Sequence, residues 1–229
     1  MRSELFGKIV VVTGASRGIG ASVAKYLAGE GASVVVNYAS SREAADEVVA
    51  DIVSKGGRAV AIQADLTIQA DIERLFAETK DTFQGLDVLV NNAGNYEFAR
   101  LGEITAEHLQ KQYDLNVFGL LFTTQEALKY FGADGGSIVN ISSIASSFTG
   151  PGAAVYAGTK AAVDAMTKVF SKELGIRKIR VNSVNPGVID VGNLSTMAEK
   201  DRQEILAQTP LGRIGQPLDV AKAVAFFAS

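Results

Sequence analysis

Short runs of β-branched and apolar residues alternate along this chain with longer stretches in which apolar positions recur every three or four residues. The runs KIVVVT (8–13), ASVVVNY (32–38), RAVAIQA (58–64), LDVLVN (86–91), GSIVNIS (136–142) and IRVNSV (179–184) read as strands. Their near-continuous apolar character is that of strands covered on both faces, as in a parallel sheet. Residues 41–55, 68–83 and 106–131 carry helical periodicity between them, so the chain reads as successive βαβ units. Residues 155–174 form a further helix that is apolar around most of its circumference, which predicts burial against the sheet and against a second subunit. No linker, repeat or low-complexity tract interrupts the series. The expectation is one α/β domain over 1–229.

Composition narrows the chemistry. A hydrophobic fraction of 47% in 229 residues suits a large packed core. A net charge of −3 and a pI near 5.3 argue against a nucleic-acid or anionic-membrane partner. The one basic cluster, Arg177-Lys178-Ile179-Arg180, reads as the solvated entry to a strand. There are no cysteines, which removes disulfides, thiolate nucleophiles and cysteine-zinc sites together. His108 is the only histidine, so no His-based metal cluster or triad is expected. The opening MRSELFGKIV lacks a long apolar core and no apolar run reaches membrane-span length, so a soluble cytoplasmic protein is expected.

The glycines after the first strand supply the first chemical signal. Gly14, Gly18 and Gly20 stand in Thr13-Gly-Ala-Ser-Arg-Gly-Ile-Gly20, which opens directly into a helical stretch. Glycines there let the backbone approach a pyrophosphate, and a helix N-terminus offers unpaired N–H groups with a positive dipole end. The same glycines could equally serve close helix–strand packing, but their position in the βαβ series favours a nucleotide. In a dinucleotide fold, an acid ending the second strand would bind the ribose 2′-hydroxyl. Here that strand ends in Asn37-Tyr38-Ala39-Ser40-Ser41-Arg42, with no carboxylate before Glu43. Arg17, Arg42 and the Ser40 and Ser41 hydroxyls suit a 2′-phosphate, so NADP(H) is favoured over NAD(H). Ser40 and Ser41 could also cap the next helix.

A second signal is Val155-Tyr-Ala-Gly-Thr-Lys160, which places a phenol and an ammonium on one helix face. A hydride delivered to a carbonyl carbon leaves an alkoxide that needs a proton. A tyrosine of ordinary pKa, near 10, is a poor match for neutral pH unless a nearby cation lowers it. The spacing alone does not decide the matter, because Tyr-x-x-x-Lys arises readily by chance.

Together the motifs TGASRGIG (13–20), Asp65, NNAG (91–94), Asn116 in LNVFG, NISS (140–143), YAGTK (156–160) and NPG (185–187) resemble the short-chain dehydrogenase/reductase family, classical subfamily, along nearly the whole chain. The resemblance implies a Rossmann-type doubly wound parallel sheet with helices on both faces. It implies a catalytic tetrad of Asn116, Ser143, Tyr156 and Lys160, with the serine thirteen residues before the tyrosine. Tyr156 is then the general acid/base, Lys160 lowers its pKa and binds the nicotinamide ribose, and Asn116 holds a relay water. Gly14, Ser16, Arg17, Gly18, Ile19 and Gly20 would cradle the pyrophosphate, Asp65 and Leu66 would meet the adenine, and Asn92, Ala93 and Gly94 would line the adenosine side. Pro186, Gly187 and Ile189 would lead to the carboxamide. No metal is implied.

Within the family, similarity is nearest to 3-oxoacyl-acyl-carrier-protein reductase-like members, with glucose or polyol dehydrogenase-like members nearly as similar and a broad ketone reductase of the same family as a further alternative. A homotetramer or dimer acting on a small carbonyl or alcohol is implied, and a catalytically silent nucleotide-binding sensor or scaffold is the competing reading. Two departures stand out. Val191 replaces a threonine that commonly bonds the cofactor, with Asp190 or Asn193 as candidate substitutes. The family also continues past the position of Ser229 through a final edge strand. Residues 192–208 are expected to form the substrate loop.

Overall fold

Valine and isoleucine, stiff at χ1 and suited to a pleated surface, supply the strands of the computed structural model, which describes residues 3–192 and 198–229. These strands are β1 (Ile9–Val12), β2 (Ser33–Tyr38), β3 (Arg58–Gln63), β4 (Val88–Asn91), β5 (Gly136–Ile141) and β6 (Ile179–Val184). All pair in parallel in the order β3-β2-β1-β4-β5-β6. The order reverses between β1 and β4, which opens a crevice at the carboxyl ends of those strands. The expected Rossmann-type doubly wound sheet is what forms.

Side chains alternate between the two faces of the sheet. Val10 and Val12 join a core with helices α1 (Gly18–Gly29), α2 (Arg42–Ser54) and α8 (Pro217–Ala228). Val11, Leu89 and Ile138 join the opposite core with α3 (Gln69–Phe83) and the end of α5 (Leu120–Ala127). Helix α6 (Ala154–Glu173) buries Val155, Thr159, Lys160, Val163 and Thr167 and leaves Val169 half exposed.

The sequence predicts one helix over 106–131, whereas the structure has two. Helix α4 (Ala106–Tyr113) and α5 flank a π-helical segment, Asp114–Gly119. A π turn needs tertiary support to persist, and Asn116 supplies it. Its amide is buried and bonds both the N–H and the carbonyl of Asn95, at 2.9 and 2.8 Å. The segment expected to be a substrate loop, 192–208, contains helix α7 (Glu199–Gln208), while Asn193 lies outside the described residues.

A polar ladder crosses the apolar interior beneath α6. Asn91 on β4 donates to Asn140 Oδ1 on β5 at 2.9 Å and to Thr124 at 3.0 Å. Asn140 in turn donates to Thr167 Oγ1 on α6 at 2.9 Å, and Thr167 donates to Val163 O. All of these side chains are buried, so each depends on its neighbour for hydrogen bonds. Replacing Asn140 by alanine leaves one N–H of Asn91 without its acceptor and removes the bond that Thr167 Oγ1 accepts, while Thr167 still donates to Val163 O. A loss of about 2–4 kcal/mol is expected, read as a lower urea midpoint at unchanged slope.

Candidate active site

The glycine turn is fastened before it is used. Thr13 Oγ1 accepts from the backbone N–H groups of Asn92 and Ala93 at 2.9 and 3.0 Å. Asn92 returns its amide to the carbonyls of Thr13 and Gly14. A Cβ on Gly20 would stand 2.5 Å from both Asn92 Nδ2 and Gly14 O, so only glycine fits there. Gly14 and Gly18 take positive φ values of 60° and 57°, which also favour glycine. Arg17 caps α1 without a side-chain bond, which leaves the first-turn N–H groups facing a cleft of about 820 Å³. That turn fits a pyrophosphate, and the cleft continues along the ends of β1, β2 and β3.

The structure sorts the predicted cofactor residues. Gly14, Ser16, Arg17, Gly18, Ile19 and Gly20 line the cleft, as do Asn37, Tyr38, Ser40, Ser41, Asp65, Leu66, Asn92, Ala93 and Gly94. Arg42 does not line it. Its guanidinium is turned along α2 to Asp46, 3.5 Å away at a helical i,i+4 spacing. Asn37 spends its amide on the fold. Its Oδ1 accepts from Gly14 N, and its Nδ2 donates to Ala64 O. Asp65 holds the Thr67 N–H and hydroxyl at 2.9 and 2.7 Å, so its carboxylate is a local turn-former at the cleft edge. Sequence reasoning missed Thr67, Lys111, Asp114 and Leu115, which also line the cleft. Only the helix break at Asn116 brings the last two there, and periodicity does not display that break.

A second cavity of about 660 Å³ adjoins the first, and Ile19, Asn92, Gly94, Asn95 and Val191 line both. Ser143, Tyr156 and Lys160 converge on it, together with Pro186, Gly187 and Ile189. Helix α6 brings Tyr156 and Lys160 to one face, and Ser142 Oγ donates to Lys160 O at 3.1 Å to hold that turn against the end of β5. Ser143 begins the next turn, its Oγ accepting from Ala145 N. Asn116 stands nearby. A Cβ on Gly94 would lie 3.2 Å from its Oδ1 and 3.6 Å from Lys160 Nζ. Asn116 Nδ2 also donates to Thr159 Oγ1. A missed pair lies below, where Asn185 Nδ2 donates to the Asp164 carboxylate at 2.9 Å and reaches Ser143 O at 3.4 Å.

Burial dominates the electrostatics of the Tyr156–Lys160 pair. Burial pushes the Tyr156 phenol up, only partly opposed by the hydrogen bond from Ser143. Lys160 Nζ lies 5.8 Å from the Tyr156 ring centre and donates to Ile141 O at 2.8 Å. Burial lowers Lys160 itself to about 8, against a weaker opposing pull from Asp164. Asp190 and Val191, the departure positions, are also placed. Asp190 Oδ1 accepts from Gly192 N, and a Cβ on Gly18 would stand 3.3 Å from the Val191 side chain. Among the described residues, no cluster of His, Cys, Asp and Glu could hold a metal ion, and no helix is long and apolar enough to cross a membrane.

This arrangement has close counterparts. A family model described as enoyl-(acyl carrier protein) reductase matches residues 14–229. An uncharacterized oxidoreductase of Methylorubrum extorquens is 51% identical over 99% of this chain and 92% of its own. A short-chain dehydrogenase from Burkholderia cenocepacia, solved in complex with NADP, superposes with a TM-score of 0.92 at 38% identity, covering 99% of this chain and 92% of its own. The angucycline C-6 ketoreductase LanV, solved with bound NADP, gives 0.93 at 36% identity, covering 99% and 90%. The chain belongs to the classical short-chain dehydrogenases/reductases and is an oxidoreductase acting on CH–OH and C=O groups.

The Lys160 shift carries a prediction of sign. Between pH 8 and 10.5 the unfolded chain holds this proton while the folded chain releases it, so stability rises with pH across that window. Below pH 8 the buried ammonium withholds about 3 kcal/mol. Lys160→Met is therefore expected to melt no lower than the native protein at pH 7, and any advantage should vanish by about pH 10. Differential scanning calorimetry across that range checks it. A Met variant that melts well below the native protein at pH 7 contradicts the assignment.

Proposed function

We propose that this protein is an NADP(H)-dependent ketone reductase in which Ser143, Tyr156, Lys160 and Asn116 form one catalytic group. The observation that carries this is the junction of the two cavities. A glycine-cradled cleft meets an apolar chamber, and the phenol, the ammonium and the serine hydroxyl line that chamber. When bound, the nicotinamide cofactor supplies the hydride. Gly14–Gly20 would hold its pyrophosphate and Lys160 its ribose, while Arg17, Ser40 and Ser41 would hold the 2′-phosphate that the two relatives' NADP also carries.

The proton chemistry falls to the protein. Ser143 donates to the carbonyl oxygen, where negative charge develops, and Tyr156 donates its phenolic proton to the forming alkoxide. The phenolate then regains a proton from Lys160, which draws on solvent past Asn116 through a bound water. Because burial pushes the phenol up, Tyr156 is protonated and acts as an acid at neutral pH. The site is thereby biased toward reduction. Oxidation of an alcohol needs the phenolate and must contend with that desolvation.

An apolar chamber offers a sugar or polyol few hydrogen bonds, which counts against the glucose dehydrogenase reading. A 3-oxoacyl thioester remains the second reading, favoured by the acyl-carrier description of the matching family model. A homo-oligomer fits the half-exposed apolar positions of α6, such as Val169.

Following absorbance at 340 nm, NADPH oxidation on a ketone panel tests the reading. Tyr156→Phe should lower kcat by at least about 10²-fold while leaving NADPH binding within threefold. NADPH should be preferred to NADH, and Arg17→Ala should narrow that preference. For the native protein, kcat/KM for reduction should be flat below neutral pH and begin to fall near pH 8, as Lys160 loses the proton it passes to the phenolate, with ionisation of the raised phenol adding to the fall at higher pH. NADPH binding without turnover of any carbonyl would support a silent nucleotide sensor instead.

A further inference from the structure

The loop that follows β4 is held at every second residue. Asn95 is fixed at both its N–H and its carbonyl by Asn116. The carbonyl of Glu97 accepts from Gln112 Nε2 at 3.0 Å and is approached by His108 Nε2 at the same distance, while its carboxylate pairs with Lys111 at 3.0 Å. The N–H of Ala99 donates to Gly152 O at 2.9 Å. The two residues between the anchors, Tyr96 and Phe98, line the chamber of Tyr156.

These are large apolar rings that the fold does not cover, each 61% exposed. Their centres lie 5.7 Å apart, and those of Tyr96 and Phe98 lie 6.0 and 6.5 Å from that of Tyr156, both edge-on to it. Ile144, Pro151, Val188, Ile189 and Ile205 line the same chamber. Among the described residues, Lys160 is its only charged lining group, and that ammonium is buried against Ile141 O. Beyond Asn95, Thr149 and the hydroxyls of Tyr96, Ser143 and Tyr156, such a wall gives a sugar or a phosphorylated arm few groups to pair with. It gives a flat ring system two aromatic surfaces at fixed positions.

Resting on the reductase reading above, we propose that Tyr96 and Phe98 are specificity-determining residues that select planar aryl ketones over open-chain and saturated ones. The rings of a fused aryl ketone pack on Tyr96 and Phe98, which turns its carbonyl toward Ser143 and Tyr156. Because the backbone between them is pinned at Asn95, Glu97 and Ala99, little ordering is left for the substrate to impose.

The test compares 1-tetralone, cyclohexanone and the N-acetylcysteamine thioester of acetoacetate in the full-length protein with NADPH. For the native enzyme, kcat/KM for 1-tetralone should exceed that for each of the others at least tenfold. In Tyr96→Ala and Phe98→Ala, the ratio of 1-tetralone to cyclohexanone should fall at least tenfold, chiefly through KM. The affinity of 1-naphthol for the NADP⁺-loaded protein, read by calorimetry, should fall in parallel. Phe98→Leu, which keeps apolar volume without the ring, should weaken 1-naphthol as well and guards against a misfolded alanine variant. Equal losses on all three ketones, or a native preference for the thioester, would overturn the aromatic selection and leave the reductase reading standing. Turnover of no ketone at all, with NADPH still bound, would remove both.

Discussion

The placement of Tyr156 and Lys160 depends on the buried amide ladder that seats α6 on the sheet. Asn91, Asn140 and Thr167 lie in an interior that is otherwise apolar, where an unpaired amide is costly. Sliding α6 along β5 would break the ladder, so one register of the helix is preferred over its neighbours. That register determines where Tyr156 and Lys160 stand relative to the end of β5. Ser142 reinforces it from the strand side by donating to Lys160 O, which leaves Ser143 at the chamber. The polar interior thus contributes position more than net stability.

The same burial that positions the site also sets its charge. Desolvation raises the phenol and lowers the ammonium, so both groups tend toward their neutral forms. A naive reading of Tyr-x-x-x-Lys has the cation lowering the phenol. In the folded chain, Lys160 is first a hydrogen-bond donor to Ile141 O. Asp164, one turn further along α6, opposes the loss of its charge and is itself held by Asn185. The acid–base character of the pair therefore depends on how the chamber is filled, and not on the two residues alone.

What could be read from the sequence follows from what is local. Each expected strand is present within one or two residues at either end, because β-branched runs state their preference without help from distant contacts. The glycine turn was legible because a motif records a local backbone shape, and the family resemblance named Ser143, Tyr156 and Lys160, which line one chamber. Contacts made across the fold were not legible. The π segment at Asn116 depends on Asn95, twenty-one residues away in sequence. Arg42 was named from its position after β2, and its exposed ion pair with Asp46, one turn on, is a contact that the motif does not show. Asn37 lines the cleft and also ties the glycine turn to the end of β3, a role its sequence position does not display. Tyr96 and Phe98 carried no signal at all, since an irregular segment has no periodicity to betray which way its side chains face.

Val191 touches both halves of the site. Its side chain borders the glycine turn at Gly18 and also lines the substrate chamber. For protein engineering, this makes position 191 a poor place to retune one ligand alone. Enlarging or shrinking that residue alters the fit of the nucleotide and of the ketone in a single step. Attempts to broaden substrate range are better directed at the rim, where the nucleotide has no stake.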